Sequence, residues 1–212
     1  MIQLTLLNLI PLISFALYTI ILLIILTSNR TRLSKTFSLY VIAMMIWSLG
    51  SFLMKTDVPP SSLFWNKFLQ IGLVSVPVLL LRFSYVLTND TDKRHIIRLG
   101  YVAIGLMIVL AYTNNVVKSA SYVNNVFDYE LAWGAYVFAV IGSAYSIIAL
   151  AIMIRKTYTK EVPLKRVGLV IIGLSLVVIG GALNIDPQIG QYGFDILFNT
   201  INALLITYSI YR

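Results

Sequence analysis

The sequence predicts an all-α integral membrane protein: one bundle of seven transmembrane helices, N-terminus outside and C-terminus cytoplasmic. Three observations lead there. Hydrophobic residues make up 59% of the 212 and charged residues only 11%, whereas an ordinary soluble domain is about one-quarter charged. Seven apolar stretches approach or exceed the span of a bilayer, which takes about 20 residues at 1.5 Å rise each. The basic residues also fall on one side. Of the sixteen Lys and Arg, twelve lie in loops that an alternating bundle places together. Two (Lys55 and Lys118) lie opposite, and two (Lys67 and Arg82) lie within the third span. The positive-inside rule puts the twelve in the cytoplasm.

Taken in order, the spans are Leu4–Leu26, Phe37–Met54, Leu63–Leu87, Ile97–Tyr112, Ala132–Ile154, Val167–Leu183 and Phe194–Ile210. The first has no basic region ahead of it, so it does not read as a cleaved signal peptide, and it is long enough to stay in the membrane. Pro11 and Pro77 are expected to kink the first and third helices. Between the second and third spans, Asp57-Val-Pro-Pro60 reads as a stiff turn. It delivers Phe64 and Trp65 to the level where an interfacial aromatic belt is expected. His95, the chain's single histidine, sits in a basic loop and reads as solvated. The longest outer loop, Thr113 to Leu131, folds over the bundle as a lid or serves as a plain solvated connector. On the fifth span Ala135, Ala139 and Ser143 repeat beside Gly142 and Ser146, and the sixth carries Gly168, Gly173, Gly180 and Gly181. Small residues let helix backbones approach closely in a membrane, so these are expected at packing faces or a hinge.

The last span carries the main functional signal. Asp195, Asn199 and Asn202 are spaced i, i+4, i+7, which a helix stacks on one face. Lipid cannot satisfy such groups, so the face should look into the bundle or a cavity. On the third span, Lys67 and Gln70 lie one turn apart below Trp65. Lys67 either snorkels to the outer interface or pairs with Asp195 or Asp186 across the bundle mouth. Arg82 is expected to snorkel toward cytoplasmic phosphates. Trp47, in the outer half of the second span, either packs in the core or walls a pocket. Asn8 would join the same layer. The expected ligand-binding set is therefore Trp47, Trp65, Lys67, Gln70, Asp195, Asn199 and Asn202.

Several chemistries lack their residues. The absence of cysteine removes thiolate metal sites, disulfides and cysteine nucleophiles. No His-Glu-x-x-His helix and no Walker-type loop occur, so neither a metal nor a cofactor is expected. Asp186 and Asp195 form the one candidate carboxylate pair, without the surroundings of an intramembrane protease. No lysine follows Lys165, so the last helix lacks the retinal-bearing lysine of a rhodopsin-like pigment. The net charge of +8 sits in the inner loops and does not point to nucleic acid.

With those residues in view, the chain resembles the histidine kinase N-terminal seven-transmembrane region, a sensor module of bacterial and archaeal signalling proteins. The similar features are the run Phe37-Ser-Leu-Tyr…Ala43-Met-Met-Ile-Trp47-Ser-Leu-Gly50, then Phe64-Trp65 with Gln70-Ile-Gly72, Val76-Pro77 and Phe83-Ser-Tyr85. The ending from Tyr192-Gly-Phe-Asp195 through Asn202 to Arg212 is the third. The resemblance implies a sensing bundle in the plasma membrane whose last helix continues into a cytoplasmic output module. No such module follows Arg212, so the chain reads as an input without its output and not as an enzyme. The expected function is a signal-input domain for a small molecule or lipid, surrounded by membrane lipids and paired as a homodimer. The alternative is a small transporter of three helices, a linker helix and three more. Against that alternative, the two halves share no sequence pattern.

Overall fold

A computed structural model of the chain describes residues 6–28, 31–90, 94–123, 126–183 and 192–211. Among the described residues seven helices form: α1 Leu6–Thr27, α2 Arg32–Lys55, α3 Ser62–Leu87, α4 Arg94–Tyr112, α5 Trp133–Tyr158, α6 Leu164–Leu183 and α7 Phe194–Tyr211. Each matches one predicted span. Most extend beyond the apolar run, because basic residues such as Arg32, Lys35, Arg155 and Lys156 continue the helix past its apolar core. Helices α1 to α5 are long and apolar enough to cross a membrane, while α6 offers a shorter apolar run, Val167–Leu183. In α7 the apolar character is diluted by Asp195, Asn199 and Asn202.

The ends are set by ordinary capping chemistry. The Thr31 side chain accepts from the Ser34 amide at the start of α2, and the Ser61 side chain accepts from the Phe64 amide at the start of α3. Such caps satisfy donors that the first helical turn leaves open. The turn before α3 is tied down by Ser62 Oγ donating to Asp57 Oδ1 at 2.8 Å.

Helix contacts run α1–α2–α3–α5–α6–α7 and back to α1, with α4 laid outside against α3 and α5. Helix α3 is the central wall: 72% of its span is buried, against 17% for α4. Sparse contacts between α2 and α7 divide the interior of this ring. The side bounded by α1, α2 and α7 is filled, whereas the side bounded by α3, α5 and α6 is not.

The all-helical bundle carries one small β element. The loop after α4 forms a β-hairpin, β1 (Val117–Val123) and β2 (Val126–Leu131), antiparallel, with Val117 opposite Leu131 and Ala120 opposite Tyr129. Its β-branched and aromatic residues favour strands. Val116, Val117 and Ala120 are buried in a small apolar cluster with Val74, Met107 and Ala111. The hairpin therefore folds onto the bundle as a cover and is not a plain connector. A larger cluster, from Tyr18 and Phe37 through Leu80 and Met153 to Ile206, fills the remaining core.

The glycines serve two purposes. A Cβ on Gly72 would collide with the Ala43 carbonyl oxygen, and one on Gly50 would lie 2.7 Å from Leu69 Cβ, so α2 and α3 cross at backbone contact. Gly173 admits Asn202, and Gly180 admits Phe198, which seats α6 on α7. Among the described residues, Gly181 has nothing within 4 Å of a Cβ, so no described side chain packs against it.

Candidate ligand cavity

A cavity of about 250 Å³ occupies the unfilled side of the ring, at the end that carries the hairpin. Its polar wall comes from three helices: Ser51 and Lys55 of α2, Asn66 and Gln70 of α3, and Asp195 and Asn199 of α7. Its apolar wall includes Leu69, Leu73, Pro77, Phe138, Val177 and Ile196, and the hairpin closes one side with Val116, Val117, Tyr129 and Leu131. The α5 residues Ala135, Ala139, Gly142, Ser143 and Ser146 line this space. Expected at packing faces or a hinge, these small residues border open space here, and Gly142 also lies against Pro77 of α3.

Four of the seven expected site residues line the cavity: Trp47, Gln70, Asp195 and Asn199. The other three do not. Trp65 donates its indole N–H to the Val58 carbonyl at 2.8 Å and meets Phe64 and Phe68 edge-on. It clamps the turn before α3 and leaves the cavity wall to its neighbours. Lys67 donates to the Tyr112 carbonyl at 3.3 Å, at the end of α4. It turns away from Asp195, and the expected pairing with that acid does not form. Asn202 is fully buried one turn below the cavity and donates to the Tyr40 hydroxyl at 3.1 Å. Its role is in packing. Asp186, Asn8's side chain and the pairing expected of Asp186 lie outside the described residues.

The cation near Asp195 is Lys55. The two interact electrostatically, and both are buried. Gly193, at φ +72, turns the chain into α7 and leaves Lys55 Nζ 3.9 Å from where a Cβ would stand. Lys55 went unrecognised as a site residue because it ends an apolar run and counts as a loop charge. The signal was nevertheless present: Trp47, Ser51 and Lys55 are spaced i, i+4, i+8, one face of α2. Asn66 was also missed, four residues before Gln70 on α3.

Behind the cavity wall lies a buried hydrogen-bond chain. Asn199 Nδ2 donates to the Asp195 carbonyl at 2.8 Å, Tyr40 OH donates to Asn199 Oδ1 at 3.1 Å, and Asn202 Nδ2 donates to Tyr40 OH. Beside it Tyr18 and Ser14 of α1 both bond Thr200 at 2.9 Å. Helices α1, α2 and α7 are thus joined by polar contacts that lipid could not supply. Four buried polar atoms stand outside such bonds among the described residues: Ser48 Oγ, Tyr85 OH, Asn202 Oδ1 of the network itself, and one on Gln70, which lines the cavity. Gln70 is buried, yet its Oε1 has no hydrogen-bond partner among the described residues.

The arrangement suits binding. Among the described residues no group of three or more His, Asp or Glu is placed to hold a metal ion. Asp195 spends its Oδ1 on the Ile196 amide at 2.8 Å. What the cavity offers is a short row of hydrogen-bonding groups over an apolar floor.

The family model describing the N-terminal 7TM region of histidine kinase matches residues 10–212. The chain belongs to that family. As a histidine kinase 7TM region it is a sensor module and not itself the catalytic part of a kinase. Its place is in a membrane, crossed more than once. No curated protein and no solved structure matches the chain. The cavity's residues therefore rest on the geometry given above.

Proposed function

We propose that this 7TM region senses a ligand bound in the cavity and relays its presence through α7. The observation that supports this reading is that one helix serves both tasks. Asp195, Ile196 and Asn199 wall the cavity at the start of α7, and the same helix continues to Tyr211 at the opposite end of the bundle. A ligand that engages Asp195 or Asn199 competes with the contacts Asn199 makes to Tyr40. It shifts the balance between two seatings of α7 by its difference in affinity for them. The hairpin end then faces outside the cell and the basic loops face the cytoplasm, in keeping with the charge asymmetry. The same reading places the chain in the plasma membrane as a homodimer that drives a cytoplasmic output. A carrier is disfavoured because Phe37, Phe83, Met153 and Leu174, all fully buried, fill the bundle's other end.

The absence of native cysteine permits a clean test. Leu39→Cys on α2 and Leu204→Cys on α7, both at exposed positions, carry spin labels in lipid nanodiscs. Their distance distribution is measured in a native membrane-lipid extract and in one synthetic phosphatidylcholine. The proposal expects two populations whose ratio changes between the lipids. A single unchanged distance in every lipid would refute the relay.

A further inference from the structure

The cavity's chemistry narrows the ligand, taking the sensor reading as its basis. We infer that the site takes a small, uncharged amphiphile drawn from the bilayer, its amide-like head against Gln70 and its apolar body between α3, α5 and α6.

Four observations carry this. First, Gln70 is 5% exposed and its Oε1 lacks a partner among the described residues. A buried amide oxygen without a hydrogen bond is costly, and a side-chain amide can present its donor or its acceptor by turning about its last torsion. A head with one N–H and one C=O answers both. Second, the cavity wall carries one group of each sign, Lys55 and Asp195. A charged head is attracted to one and repelled by the other, so a neutral dipolar head fits the pair best. Third, the volume is at the small end of ligand sites. About 250 Å³ admits a single short chain and excludes a two-chain lipid.

Fourth, the wall opens sideways. Tyr136 and Ser143 of α5 line the cavity and are also exposed, Tyr136 by 59%. On α6, Gly181 lines the cavity with nothing among the described residues within 4 Å of a Cβ. Close to these positions along the two helices, the apolar Val140 is 71% exposed and Ile179 49% exposed. An apolar rim opens to acyl chains, so the ligand arrives from the membrane and not through the hairpin.

The test uses octanamide carrying a chain diazirine, given to the chain in phosphatidylcholine nanodiscs and located by peptide mapping after illumination. Octanoic acid and octane with the same diazirine are run beside it. The inference expects saturable amide labelling of α3, α5 and α6 near Leu73, Phe138 and Val177. Gln70→Leu should lower it at least tenfold, leaving octane labelling unchanged. Gly181→Phe, placed in open space, should slow labelling at least tenfold. Gly105→Phe, likewise with open space at its Cβ but on α4 away from the cavity, should have no effect. Equal labelling by the acid and the amide would overturn the head-group assignment. So would labelling that does not saturate, or that spreads over the lipid-facing surface. Undiminished labelling in Gly181→Phe would overturn the lateral route. Saturable, Gln70-dependent labelling without any change in the α2–α7 distance would refute the sensor reading and leave the ligand class standing.

Discussion

The two sides of the helix ring are built from similar residues and behave differently. On the side of α1, α2 and α7, Tyr18, Phe37, Tyr40, Met44 and Ile206 are sealed from solvent. Their polar groups bond across three helices, Asn202 Oδ1 excepted, and Gly72 of α3 and Gly173 of α6 bring the adjoining helices tightly against α2 and α7. On the side of α3, α5 and α6, the small residues of α5 and Gly181 of α6 border the cavity. In lipid no hydrophobic force drives helices together, and association rests on packing and polar contacts. A glycine or alanine therefore closes a gap only where the opposing helix supplies something to meet it. The contrast teaches that a small-residue stripe marks proximity or vacancy, and the facing element decides which.

That contrast can be broken at the closed side most easily. Gly72→Leu drives a side chain into the Ala43 and Trp47 backbone, and overpacking of this kind costs about 3 kcal/mol. Reversible unfolding in mixed micelles should show the loss; an unchanged midpoint would mean that α2 and α3 are not locked. Tyr40→Phe removes the bonds to Asn199 and Asn202 at once and leaves two buried amides short, at about 2 kcal/mol. The same unfolding assay checks it. If the loss is below the assay's error, the polar chain does not hold α7.

The open side should respond differently. Ala139→Leu projects into the cavity, so stability should change by about 0.5 kcal/mol or less, while octanamide labelling disappears. A large destabilisation would show that the wall is already packed. At the rim, Glu130→Gln removes the exposed pair with Lys118 at 2.6 Å. Such pairs contribute about 0.5 kcal/mol at most, so only a slight shift in hairpin proteolysis is expected. A pronounced shift would show that the cover depends on that pair.

Much of this architecture is legible in the sequence. Apolar runs mark where the seven described helices lie, and five of them are long and apolar enough to cross a bilayer. The period of 3.6 places Asp195, Asn199 and Asn202 on one inward face, and all three are buried. Periodicity gives a face, however, and not its neighbour or its depth. Asn202 shares the stripe yet lies below the cavity, because the void ends where Tyr40 reaches across. On α3, Asn66 and Lys67 sit about 40° and 60° to either side of Gln70 on a helical wheel of about 100° per residue. One points into the cavity and the other toward α4, a choice set by where α4 packs. The hairpin was hidden by the polarity of the Asn- and Tyr-rich loop, whose alternation is interrupted by a bulge between Val117 and Ser119.

The division of the interior is tested most directly by single cysteines along α7 in the cysteine-free chain. Each would react with a small maleimide soluble in both water and lipid. Asn199→Cys should react through the cavity, Leu204→Cys should react from the lipid face, and Asn202→Cys should resist. Gly181→Phe should slow only the first. Equal reactivity at Asn199, Asn202 and Leu204, or an Asn199→Cys as inert as Asn202→Cys, would contradict a cavity walled by the start of α7.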